Sequence, residues 1–361
     1  MAQRYESAIP ESLARRRWLC HASVLGAGLF SGVAAQSLIA KQDQVNRDVC
    51  LYYGEALGRY GFPHGHPLGV DRQGAFFKEA VAQKLDQRVA ICAPQSATRA
   101  QIERFHTSGY VEDVLRAETD GREYLDNGDT PVFPGVYEAG AIVVGSALDG
   151  LTHVMRAQCR ATFQPIGGLH HARRDRAAGF CVFNDLGVVI ETLRADYGIQ
   201  RIGYVDIDVH HGDGVFYAYE EDPELIFADI HEDGRSLYPG TGHASEIGKG
   251  LAKGTKLNIP LPPGAGDAQF LEAWPRVVAH LRKFHPQFIV FQCGADGLQG
   301  DPLAHLRYSM QVHAHATRSL RHLADEMAAG RLMAFGGGGY QRDNLAQAWC
   351  AVLRELSAGR I

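Results

Sequence analysis

The 361-residue chain is 45% hydrophobic and 21% charged, the usage of an ordinary globular protein, which excludes a disordered or fibrous one. Its net charge of −5, with no long basic run, excludes charge-driven nucleic-acid binding and would not repel a basic peptide or a polyamine. Seven cysteines, scattered and without a CxxC pair, indicate neither a disulfide framework nor a zinc knuckle and suit a reducing compartment.

Residues 1–46 read as an N-terminal extension. Arg15-Arg16-Arg17-Trp18-Leu19 ahead of the moderately apolar stretch Ala22 to Ala35 has the layout of a twin-arginine export signal. The stretch is too short and too rich in Gly and Ser to span a bilayer, so no membrane association is expected. A disordered extension, or a start codon upstream of the true one, is the preferred reading. The cysteines place the protein in the cytoplasm; the periplasm is the alternative that an export signal would imply.

One domain is expected over residues 47–361. Asp48 to Tyr53 reads as a first strand, followed by the glycine- and histidine-rich loop Gly61 to Leu68, with Arg72 just beyond. Helical spacing runs over Gln73 to Leu85, Thr98 to Leu115 and Tyr137 to Met155. Between the last two, Glu123 to Gly135 is a loop carrying Asn127-Gly128-Asp129 and two prolines. Further strands are expected at 162–166, 202–207, 225–230, 256–259, 288–293 and 332–335, with helices at 185–196, 268–284, 308–328 and 344–356. Alternation of this kind predicts an α/β fold: a mostly parallel sheet with helices on both faces.

In such sheets chemistry collects beyond the carboxyl ends of the strands. The stretch Ile202 to Val215 is the clearest case, since a buried strand runs into Asp206, Asp208, His210, His211 and Asp213. So many ionisable groups at a buried strand end require a compensating charge, and a cation is the natural one. Asp208 and His210, two apart in extended chain, point to one side, and Asp206 shares that parity. With Asp296 from a later strand end, Asp208 and His210 could hold a zinc ion and leave a position open for water and substrate. The adjacent His170 and His171 could supply the base and the acid that metal-activated hydrolysis needs, with Asp206 and Asp213 free to orient the rings. Gly336 to Gly339 could deliver the phenol of Tyr340 to the same centre. A phosphate loop, the competing reading of these glycines, lacks the following Lys-Ser/Thr.

These residues fall into a known pattern. Gly167-Gly-Leu-His-His-Ala172 with Gly179-Phe-Cys-Val-Phe-Asn-Asp185, Asp206-Ile-Asp-Val-His-His-Gly-Asp213, Tyr238-Pro-Gly-Thr-Gly242, Gln292-Cys-Gly-Ala-Asp296 and Gly336 to Tyr340 resemble the zinc-dependent histone deacetylase superfamily. The resemblance spans about residues 47 to 357 and is strongest to bacterial acetoin-utilisation deacetylases and their class I relatives. It implies the single-domain arginase/deacetylase fold and one catalytic zinc on Asp208, His210 and Asp296. It also implies a general acid/base pair, His170 backed by Asp206 and His171 by Asp213, and an oxyanion-stabilising Tyr340. Phe180 and Tyr238 would wall an acyl-lysine tunnel, with Gly179 in that wall, Leu303 near its mouth, Asp129 gripping substrate backbone and Arg72 beside an inner acetate cavity. A structural potassium near Asp206, Asp208, His210 and Asp229 is implied as well, although Asp229 stands where relatives often have serine. The expected activity is removal of acetyl from lysine side chains of proteins. Acetylpolyamines or another small acetylated amine are the alternative substrates, and a silent metal-binding scaffold is the third reading, which the intact metal, histidine and tyrosine positions oppose.

Overall fold

The computed structural model describes residues 48–359; the extension expected over 1–46, with its export-signal layout, lies outside them. The described residues all fall within one compact unit.

Eight parallel strands form one sheet: β1 (Val49–Tyr52), β2 (Ala90–Cys92), β3 (Ala161–Gln164), β4 (Ile202–Asp206), β5 (Leu225–Glu232), β6 (Lys256–Leu261), β7 (Phe288–Gln292) and β8 (Leu332–Phe335), in the spatial order β2-β1-β3-β8-β7-β4-β5-β6. Near-continuous apolar runs, as in Phe288-Ile-Val-Phe of β7, let the central strands bury both faces. On one face Tyr52, Tyr204 and Val290 pack under α5 (Val136–Met155) and α6 (Asp185–Tyr197). On the other, Leu51, Val205 and Ile289 pack under α2 (Arg72–Ala82), α8 (Asp267–Phe284), α9 (Met310–Met327) and α10 (Arg342–Leu356).

The α/β layering follows the sequence expectation, and the differences have local causes. The helix expected over 98–115 is two, α3 (Arg99–Ile102) and α4 (Ser108–Arg116), because Thr98 and Thr107 each cap a separate first turn. The four-residue α1 (Glu55–Gly58), the edge strand β2 and the short α7 (Asp213–Ala218) escape a periodicity reading because they are too brief to show a period. Among the described residues no helix is long and apolar enough to cross a membrane.

Candidate active site

The central strands β3, β8, β7 and β4 end side by side, and the loops leaving them converge. Strand β4 stops at Asp206, so the extended-chain parity expected for Asp206, Asp208 and His210 does not continue. The chain turns instead. Asp206 faces His170, while Asp208 and His210 meet Asp296 from the loop after β7. Donor atoms of Asp208, His210 and Asp296 lie within 4.8 Å of one another, and all three residues are buried.

This cluster has the character of a cation site. His210 Nδ1 is 3.1 Å from Asp208 Oδ1 and 3.2 Å from Asp296 Oδ2. The second approach is off the hydrogen-bonding direction and leaves Asp296 Oδ2 a buried oxygen without a partner. Burial opposes a charged His210, but the two carboxylates outweigh it and hold the imidazole up at about 10. Burial, then the charge of Asp208, pushes Asp296 up to about 7. Protons are thus held where a divalent ion would displace them. Two carboxylates and one imidazole fit zinc with a position left open. Gly338 lines the cradle, since a Cβ there would collide with Asp296 Oδ2. Gln292, at the end of β7, donates to Asp208 Oδ2 at 2.9 Å and to Gly168 O at 3.2 Å, tying the metal cluster to the histidine loop.

Beside the cluster, His170 Nδ1 is 2.8 Å from Asp206 Oδ2 and His171 Nδ1 is 2.7 Å from Asp213 Oδ1. The two Nε2 atoms are 3.1 Å apart. Each Nδ1 is turned to a carboxylate, which leaves the two Nε2 positions for proton transfer. Burial, then the neighbouring His170, pulls His171 down to about 4 against the pull of Asp213, so His171 is neutral and able to act as a base. The carboxylates are anchored in turn: Tyr204 donates to Asp206 Oδ2 at 2.5 Å and Arg173 to Asp213 Oδ2 at 2.7 Å. The histidine loop is pinned by Asp185, whose oxygens accept from the amides of Gly168 (2.9 Å) and Leu169 (2.8 Å).

Tyr340 follows a glycine loop held by Arg72, which is buried and donates to the carbonyls of Gly339 (2.9 Å) and Gly337 (2.6 Å). Burial first, then Asp296 and Asp208, raises the Tyr340 phenol well above its ordinary range, so it stays a donor. Its ring meets Phe180 edge-on at 5.9 Å. Tyr238, 43% exposed, sets its ring 5.1 Å from His171, so an open aromatic edge overlies the histidine. Gly179 has φ +52, and a Cβ there would stand 2.6 Å from His171 Cδ2, so a side chain has no room.

The remaining expected residues are more peripheral. Asp129 is exposed in a turn whose amides converge on Asp126 Oδ1. It lines, with Asp126, Arg173, Asp213 and Tyr238, a cavity of about 680 Å³ beside the histidine pair. Leu303 is not part of that lining; its amide and that of Tyr340 both bind Asp301. Asp229, paired in register with Asp206, accepts from Gly212 N at 2.9 Å and lies 2.7 Å from His231 Nδ1. A roomier cavity of about 850 Å³ behind Phe62 and Phe133 contains none of the metal or histidine groups.

Gln292, Asp185, Arg173, Tyr204 and Asp301 act in this site through other residues and were not singled out from sequence. A polar Gln292 ending the apolar run of β7 was the available signal; an Arg two residues past a His pair is too common to be one.

Comparison with known proteins gives a consistent result. The family model described as Histone deacetylase domain matches residues 66–356. Acetoin utilization protein AcuC of Bacillus subtilis (strain 168) is 34% identical over 320 residues, 86% of this chain and 82% of that protein. Histone deacetylase RPD3 of Saccharomyces cerevisiae (strain ATCC 204508 / S288c) is 33% identical over 314 residues, 84% of this chain and 70% of its own length.

Proposed function

The chain belongs to the histone deacetylase family and is a deacetylase, and from that premise we propose that it removes acetyl from lysine side chains of proteins, using one zinc ion on Asp208, His210 and Asp296. The observation that carries this reading is the pair of carboxylate-backed imidazoles set against a buried cluster of two carboxylates and an imidazole. Zinc bound there would polarise the amide carbonyl and make a water molecule more acidic.

The chain's own groups do the rest. His171, unprotonated at Nε2, takes the proton of the attacking water, and Asp213 steadies the imidazolium that results. His170, held by Asp206 with its Nε2 against that of His171, completes the path by which the proton taken from water reaches the leaving amine. Tyr340 donates to the oxygen that becomes negative. Phe180 and Tyr238 flank the lysine stem, Gly179 admits it past His171, Asp129 receives substrate amides at the rim, Leu303 borders the mouth, and Arg72 backs the acetate end.

A structural potassium beside Asp206, Asp208, His210 and Asp229 belongs to the same proposal. It is supported by charge: burial, then Asp229 and Asp208, pushes the Asp206 carboxyl well up, a sign of crowded anions. Each oxygen of Asp229 has one partner, Gly212 N or His231 Nδ1, which fixes the orientation of the carboxylate beside Asp206.

Activity profiling of the purified protein on acetyl-lysine peptides, acetylpolyamines and longer acyl-lysines tests the substrate. Acetyl-lysine peptides should lead acetylpolyamines in kcat/KM by at least tenfold, roughly the discrimination one set of substrate contacts supplies. The reverse ranking would move the substrate to small acetylated amines and leave the deacetylase chemistry standing.

A further inference from the structure

At the far edge of the sheet, sulfur and imidazole come together under the last turn of α5. Cys50 on β1 and Cys92 on β2 occupy neighbouring parallel strands, where Cys50 pairs with Ala90 and Tyr52 with Cys92. Two positions apart in register, the two cysteines point to the same face. His153 comes down on that face with Nδ1 3.7 Å from Cys50 Sγ and 4.0 Å from Cys92 Sγ. All three donor atoms lie within 4.8 Å of one another.

The Cys92 thiol has an acceptor of its own in Ala90 O at 3.9 Å, so the imidazole is not needed to satisfy it. A single imidazole nitrogen offers one lone pair, or one proton, and cannot satisfy two thiols at once. The Tyr52 hydroxyl, 3.4 Å from the same nitrogen, is already committed to Asp149 Oδ2 at 2.6 Å. Soft donors converging on one point are what a thiophilic cation takes up. A tetrahedral zinc with Zn–S near 2.3 Å and Zn–N near 2.0 Å sets sulfur and nitrogen about 3.5 Å apart. The observed separations need to close by only a few tenths of an ångström.

We propose that Cys50, Cys92 and His153 form a second metal site, structural in character, for a thiophilic divalent cation such as zinc. Cys159 lies next to the group, its amide bonded to His153 O at 3.4 Å and its thiol beside that of Cys50, but it is not one of the three converging donors. These donors share no residue with the Asp208, His210 and Asp296 cluster, and water would complete the coordination of the ion. Cys92 and His153 are half-buried, which gives the ion a route in, while Cys50 and Cys159 are buried. The bound ion would tie the edge strand β2 to β1 and to the end of α5.

Cobalt(II) distinguishes this site from the catalytic one, because thiolate-to-cobalt charge transfer absorbs in the near ultraviolet and the catalytic set contains no sulfur. The full-length, freshly reduced, metal-free protein titrated with Co²⁺ should develop that band to one equivalent, and Zn²⁺ should displace it. Cys92→Ser and His153→Gln should each weaken Co²⁺ binding read through the band by at least tenfold while deacetylation persists. Two variants guard against misfolding in either one. Absence of the band in reduced wild-type protein would overturn the proposal, as would a band unchanged in both variants. A Cys50–Cys92 disulfide found by mass spectrometry in the isolated protein would overturn it as well.

Discussion

At the scale of single residues, the division of labour rests on which groups hold protons. The Tyr340 phenol, raised by burial and by Asp296 and Asp208, remains a donor across the working range. Tyr340→Phe should therefore keep its metal and lose about 10²–10³-fold in kcat, the usual cost of one oxyanion donor. An unchanged kcat on acetyl-lysine peptide would reduce Tyr340 to a packing residue. His171 is the neutral base, so His171→Ala should lower kcat/KM more than His170→Ala, with metal retained in both; a larger loss at His170 would reverse the assignment. The pH dependence follows with its sign. Burial and then His170 depress His171 to about 4, and a cation on the nearby ligands would push the same way. His171 is thus unprotonated above that value, and kcat/KM should hold as pH falls through 6 and decline only on approaching 4. A midpoint at or above the ordinary histidine value of about 6.5, with metal still bound, would contradict this.

At the scale of elements, the glycine loop after β8 keeps its shape through α2. Arg72 fills two buried carbonyls, of Gly337 and Gly339, and its guanidinium lies 5.2 Å from the Trp349 ring. Arg72→Ala should destabilise the protein by roughly 2–6 kcal/mol, since each of the two orphaned buried acceptors costs about 1–3 kcal/mol, and should lower kcat by releasing Tyr340. A stability loss in urea without any fall in kcat would separate Arg72 from the positioning of Tyr340.

Much of the site was legible in the sequence because its residues cluster at strand ends within short motifs: Asp206 to Asp213 on one loop, His170 and His171 on another, Tyr340 after its glycines. The way they converge was less legible. Chain parity would have sent Asp206 with Asp208 and His210, but β4 ends at Asp206 and the turn divides them between a histidine and the metal cluster. Groups that act by anchoring others are harder to assign because their partners are distant in sequence: Gln292 and Asp185 stand inside recognisable motifs without a visible role, and Arg173 has no local pattern. Cys50, Cys92 and His153 show the same limit: no spacing rule joins them, and only the pairing of β1 with β2 beneath α5 does.

At the scale of the whole molecule, the parallel sheet is the scaffold that brings these groups together. Four central strands deliver the histidine loop, the metal cluster and the tyrosine to one place, and both faces are closed by helices. An ion bound by the native state alone adds stability by mass action, about 4 kcal/mol at a free concentration a thousandfold above Kd. Hydrolysis is proposed to depend on zinc held by Asp208, His210 and Asp296. The most direct measurement is deacetylation of an acetyl-lysine peptide as zinc is returned to metal-free protein, run in parallel for wild type and Asp296→Ala. Wild-type activity should rise from baseline to a plateau while the variant stays at baseline at every zinc concentration. Full activity in the metal-free wild type, or equal recovery in the variant, would contradict it.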